Sequence, residues 1–142
     1  MARDFEPFAL PVGQYRIDGD TDAMVRTTSH APDRIGDAAH PIMAFVAALG
    51  GLGAPIADVC VMLGSSISVG PLLASCTIQY DRPLRIDLTY EVHAMLTGLI
   101  RKPSRAYGAA DHAKLVIRLE RDGMRDAEVA LTWVLPVRGV AA

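Results

Sequence analysis

The chain has 142 residues, with 14 Lys and Arg against 16 Asp and Glu and a formal charge of −2 at pH 7. That length is one domain, and 51% hydrophobic against 21% charged residues excludes a disordered chain. A near-neutral balance offers nucleic acid no electrostatic footprint, and Cys60 and Cys76 stand alone, without the partners a disulfide framework or zinc cluster needs.

Residues 1–14 hold Pro7 and Pro11 and read as an extended lead-in. Asp4 and Glu6, with no apolar segment, exclude a signal peptide. Tyr15–Ile17 reads as a short strand. Asp20 or Thr21 is placed to cap a helix over Asp22–Ser29. His30–His40 is a loop with Pro32 and Gly36. Pro41 suits a first helical turn, and Ile42–Leu49 is helical up to Gly50-Gly51. After Pro55, the residues Ile56, Val59, Cys60, Met62 and Leu63 recur at helical spacing among small neighbours, which predicts a helix buried on most sides and ended by Gly70-Pro71.

From Leu72 the period becomes two. Leu72–Tyr80 is a strand, Asp81-Arg82-Pro83 a bend, and Arg85–Leu96 a longer strand with Leu88, Tyr90, Val92, Ala94 and Leu96 on one face. Gly98–Asp111, with Pro103 and Gly108, reads as a connecting loop. His112–Arg121 and Ala127–Val137 are strands joined by Asp122-Gly123, a strong hairpin signal. The expected class is α+β: a four-strand antiparallel meander wrapped on a buried helix.

Charge is very unevenly placed. Between Pro41 and Tyr80 the only charged residue is Asp58. A membrane span is excluded by Pro41, Gly50, Gly51, Gly53 and Pro55 in the first part, and by Gly64, Gly70, Pro71 and several serines in the second. The expected protein is soluble and cytoplasmic, with neither membrane nor nucleic acid as partner.

Several residue types that carry chemistry elsewhere have ordinary accounts here. Arg101, Lys102 and Arg105 suit a solvated turn, and Glu91 and His93 a surface pair on one strand face. His112 is a surface residue. Ser65 and Ser66 lack a nucleophile elbow. Met24, Met43, Met62 and Met95 suit core or pocket lining, and Cys60 and Cys76 small buried positions. No phosphate-binding loop is present, and nothing specifies a metal or cofactor.

Three segments in series resemble the MaoC-like hydratases and dehydratases. Gly53-Ala-Pro-Ile-Ala-Asp-Val-Cys-Val-Met-Leu63 resembles the Gly-x-Pro-Ile-Ala-His-Gly-Met-Leu start of their central helix. Tyr80-Asp-Arg-Pro-Leu-Arg-Ile-Asp-Leu-Thr89 resembles their Arg-Phe-x-x-Pro strand, and Gly36-Asp37-Ala-Ala-His-Pro41-Ile42-Met43 their Gly-Asp-x-Asn-Pro-Ile-His loop. The resemblance implies a single hotdog domain over 1–142 and action on an acyl thioester of CoA or acyl carrier protein. An Asp and a His five apart would share acid–base work, and an amide at the helix start would receive the thioester oxygen. It also implies pairing, as a homodimer or with another hotdog subunit.

The motif is altered. Aligned on Pro41-Ile42, the family's catalytic His falls on Met43, and five positions before it stands Ala38. Asp37 and His40, three apart, are the candidate displaced pair, with His30 a candidate in the same loop. Asp58-Val59 replaces His-Gly: the Val59 amide is the candidate oxyanion donor, and Asp58 either caps the helix or serves as a buried base with a raised pKa. Three functions follow from this resemblance: a hydratase or dehydratase using Asp37 and His40, a repurposed or non-catalytic hotdog protein that binds an acyl or polyketide-like ligand or partners a catalytic subunit, and an acyl-CoA thioesterase using Asp58.

Overall fold

The period-two runs of the second half build the sheet. The computed structural model describes residues 5–63 and 71–137. Its strands are β1 (Phe8–Ala9), β2 (Gly13–Arg16), β3 (Leu72–Tyr80), β4 (Thr89–Ser104), β5 (Gly108–Arg121) and β6 (Met124–Pro136). Its helices are α1 (Gly19–Thr28), α2 (Met43–Gly50) and α3 (Ile56–Met62). The strands form one antiparallel sheet in the order β1-β4-β5-β6-β3, with β2 pairing a second stretch of β4.

Tyr90, Val92, Ala94 and Leu96 of β4 meet Leu115, Ile117 and Leu119 of β5 and Val129, Leu131, Trp133 and Leu135 of β6 in the core. Helix α2 lies on this face, against β2, β4, β5 and β6. Its Met43, Ala44, Ala47 and Ala48 are fully buried. Alanines bring the helix backbone close to the sheet, and Met43 fills the remaining gap. A long antiparallel sheet wrapped on a helix is the α+β hotdog arrangement. No helix among the described residues is long and apolar enough to cross a membrane.

Several expectations change. The helix that fills the concave face is α2. Helix α3 buries Val59 and Cys60 but exposes Asp58, Val61 and Met62, so it is not covered on most sides within one chain. Its expected course to Gly70, with Ser65 and Ser66, lies outside the described residues. Strand β3 pairs with β6, not β4. The meander is therefore β4-β5-β6, and β3 is an edge strand exposed along nearly its whole length, Cys76 included. Met24 and Met62 are exposed as well.

The expected loop over Gly98–Asp111 is mostly ladder. Strand β4 runs to Ser104 and β5 restarts at Gly108, with Pro103 opposite Ala109. Beyond Leu96 the outer side of β4 has no strand neighbour among the described residues, and a proline is tolerated on such an open side. Gly98 marks a bulge instead of an end. Arg101 crosses the hairpin to Asp111 at 2.9 Å. The start of β4 moves to Thr89, because Asp87 adopts φ 62°, a turn conformation that aspartate tolerates. The Asp122-Gly123 turn forms as expected, both residues at positive φ.

The lead-in is paired as well as extended: Phe8 lies opposite Leu96, and Gly13–Arg16 opposite Thr89–Val92. It also crosses the α2–α3 connection at very close range. A Cβ on Gly53 would run into the Pro11 carbonyl, and one on Gly13 would run into the Gly51 carbonyl and lie 2.7 Å from the Gly53 nitrogen. Glycine is required at both places.

Candidate functional site

One buried carboxylate shapes the loop that carries Asp37 and His40. Helix α1 starts three residues earlier than expected, because Asp18 takes the N-cap and accepts from the Asp20 amide at 3.0 Å. That places Asp22 inside the first turn, facing inward and fully buried. It accepts from Arg26 Nε at 2.9 Å, Arg34 at 3.2 Å and the His40 amide at 2.6 Å. Arg26 continues to the carbonyls of Pro32 and Ala38. Burial pushes the Asp22 carboxyl up, but the His40 amide and the two guanidinium groups outweigh it and hold the group below its ordinary value. Residues 30–40 are thus strapped onto α1.

The other wall is the crossing from β3 to β4. The amides of Asp81 and Arg82 both donate to the Asp126 carbonyl, at 2.8 and 3.1 Å. The Asp126 side chain is also buried, with Arg82 at 2.5 Å and Arg121 at 3.8 Å. The Ala39 amide donates to Leu84 and the Ile86 amide to Asp37, which joins the strapped loop to the crossing. Two clefts lie on either side of Arg82-Pro83. One, about 270 Å³, has Ala39, Pro41, Tyr80 and Leu84 in its wall. The other, about 190 Å³, presents Asp37 and Asp126 with Arg82, Arg85 and Arg121. The Tyr80 hydroxyl donates to the Pro41 carbonyl, and burial pushes its pKa up to about 12, so it remains a neutral donor.

Asp37 and His40 share this loop but make no bond to each other. Asp37 is 61% exposed and pairs with Arg85 at 3.5 Å. His40 is half-buried, and its Nδ1 accepts from the Ile42 amide at 3.1 Å, just before α2. Met43, where the resemblance puts the catalytic His, is fully buried in α2 and lines neither cleft. His30 is exposed in a left-handed turn after α1.

The helix-start assignments are corrected. The Val59 amide donates to the Pro55 carbonyl at 3.1 Å, so it is spent inside α3 and is not a free oxyanion donor. The first turn begins at Ile56, which moves the unbonded amides upstream of Val59. Pro55, not Asp58, is the N-cap residue, and Asp58 is exposed in the first turn, where its charge complements the helix dipole. Within the single chain Asp58 is therefore exposed, where a catalytic base was expected to be buried.

Asp22, Tyr80, Arg82, Arg85, Arg121 and Asp126 were not anticipated in the site. Only the Asp22–Arg26 contact had a local signal, the i,i+4 spacing of opposite charges. The remaining partners are brought together by topology.

No protein-family model matches this sequence, and neither does any curated protein. Solved structures match the fold over nearly the whole chain. The HadBC (3R-hydroxyacyl-ACP dehydratase) complex of Mycobacterium tuberculosis is similar at TM-score 0.65 and 9% identity, covering 94% of this chain and 99% of that one. The ChsH1-ChsH2 complex of the same organism is similar at TM-score 0.62 and 16% identity, covering 96% and 85%. The monoamine oxidase regulatory protein of Archaeoglobus fulgidus follows at TM-score 0.61 and 12% identity, covering 93% and 89%. The chain has the hotdog fold of these structures.

Proposed function

We propose that this chain is the non-catalytic, acyl-binding member of a hotdog pair that hydrates or dehydrates an acyl thioester, the acid–base residues coming from the partner subunit. One observation carries this reading. Asp37 is engaged by Arg85 and His40 by the Ile42 amide, while Met43 occupies the expected position of the catalytic His. A methionine transfers no proton, and a carboxylate and imidazole with separate partners are not an acid–base unit on one water.

The exposed edge supports the pairing. Leu72 and Leu73 on β3, together with Val61 and Met62 on α3, are each half or more exposed. An unpaired apolar edge strand is a template for another chain. Two of the similar structures are complexes of two different subunits by name, and one of these is a dehydratase. Acyl-chain binding fits the uncharged 41–80 stretch, where Asp58 is the single charge.

The test is an assay of the purified chain with crotonyl-CoA, following hydration and, by calorimetry, binding. The reading predicts binding without turnover above the buffer rate. Turnover by the chain alone, lost in His40→Ala, contradicts it. That outcome establishes the second reading, a self-sufficient MaoC-like hydratase using Asp37 and His40, which has one observation in its favour: the Asp22 strap holds both residues in one loop beside the clefts.

A further inference from the structure

We infer that the outer face of the sheet carries a divalent-cation site built from Glu91, His93 and Glu120. Glu91 and His93 are two apart on β4 and share its outer face, and Glu120 comes from β5 directly opposite Glu91. His93 Nε2 lies 3.1 Å from Glu91 Oε1 and 3.8 Å from Glu120 Oε1. The three donor atoms all fall within 4.8 Å of one another. Bonds of about 2.0–2.1 Å to a tetrahedral Zn²⁺ place neighbouring ligand atoms roughly 3.3 Å apart, so a small closure of the trio holds an ion.

The charge pattern asks for a cation at this point. Like charges directly opposite on neighbouring strands repel. Arg118 is the nearest compensating group, and its Nε reaches the other oxygen of Glu120, Oε2, at 3.4 Å. That contact orients Glu120 while leaving Oε1 toward His93, the arrangement in which an outer partner sets a ligand's direction. On β6, Arg125 and Glu128 stand opposite Glu120 and Arg118. Arg125 is committed to Asp81 and Glu128. Two carboxylates therefore face one imidazole and one arginine.

Imidazole with two carboxylates is a donor set for Zn²⁺ and similar borderline ions, not for Ca²⁺, which prefers an all-oxygen cage. His93 and Arg118 also line a cleft of about 350 Å³ with Val12, Met95 and Val116. Three protein ligands leave a coordination position for a water or a small anionic ligand entering from this cleft.

Calorimetric titration of Zn²⁺ into the purified, chelator-treated chain tests the site, with Co²⁺ absorption in the visible as a second readout of an imidazole-containing coordination sphere. One site per chain is expected, tighter than roughly 10 µM. Loss of a ligand should weaken it at least about tenfold in His93→Ala and in Glu120→Gln, judged against the effects of altering a metal's supporting residues. His112→Ala, on the same strand as Glu120, should bind as the parent does. Thermal unfolding of each variant without metal separates lost ligation from lost fold. The proposal is overturned if the parent does not bind in this range, if both ligand variants bind unchanged, or if His112→Ala abolishes the site.

Discussion

Asp22 is the residue on which the geometry of the candidate loop depends. Its carboxylate ties Arg26, Arg34 and the His40 amide together away from water. Asp22→Asn leaves two guanidinium groups without their counter-charge and should cost about 3 kcal/mol, read from urea unfolding. A loss below about 1 kcal/mol would show that the strap is not structural. The carboxyl is held below its ordinary value, so its contribution is complete above the unfolded aspartate pKa of about 3.9 and disappears as pH falls through the lower folded value. The stability gap between parent and Asp22→Asn should therefore be full at neutral pH and close in acid. A gap that widens on acidification contradicts the assignment. Half of this arrangement was legible: Asp22 and Arg26 have the spacing of a helical ion pair, whereas Arg34 and His40 arrive through a loop whose path no local pattern specifies. Asp126 is similar, since its partner Arg82 is 44 positions away in the chain.

At the scale of elements, periodicity located the strands and punctuation misplaced some of their ends. Tyr90–Leu96, Leu115–Leu119 and Val129–Leu135 alternate plainly, and all line the core. Pro103 and Gly108 suggested a loop where the β4–β5 ladder continues, because a proline on an open strand side costs no cross-strand bond. The neighbour of β3 was not legible either. A strand followed by a short bend reads as a hairpin, but this bend is pinned beside β6 by the Asp126 carbonyl and then crosses to the far side of the sheet. The lead-in and the α2–α3 connection touch backbone to backbone at Gly13 and Gly53, so a methyl group has no space. Gly53→Ala should destabilise the fold by about 2 kcal/mol or more by thermal or urea unfolding. A neutral result would mean that the crossing relaxes freely.

The whole molecule explains the uncharged stretch from Pro41 to Tyr80. It supplies α2, which fills the concave face, then α3 and β3, of which Val61, Met62, Leu72 and Leu73 remain exposed in a single chain. Composition showed that this region avoids charge. It did not show that only part of it is covered within one chain, because burial against a partner and burial in a core select the same residues. Replacing Leu73 by Lys places a charge on the β3 edge without touching the core, and should weaken association at least about tenfold by sedimentation. Association as strong as the parent's would remove β3 from the interface. The central claim is that this chain binds an acyl thioester and leaves the proton transfers to a partner subunit. It is tested most directly by measuring hydration of crotonyl-CoA by the isolated chain beside its His40→Ala variant. The same background rate is expected for both, with crotonyl-CoA still bound. Rapid hydration by the parent, abolished in the variant, would contradict it.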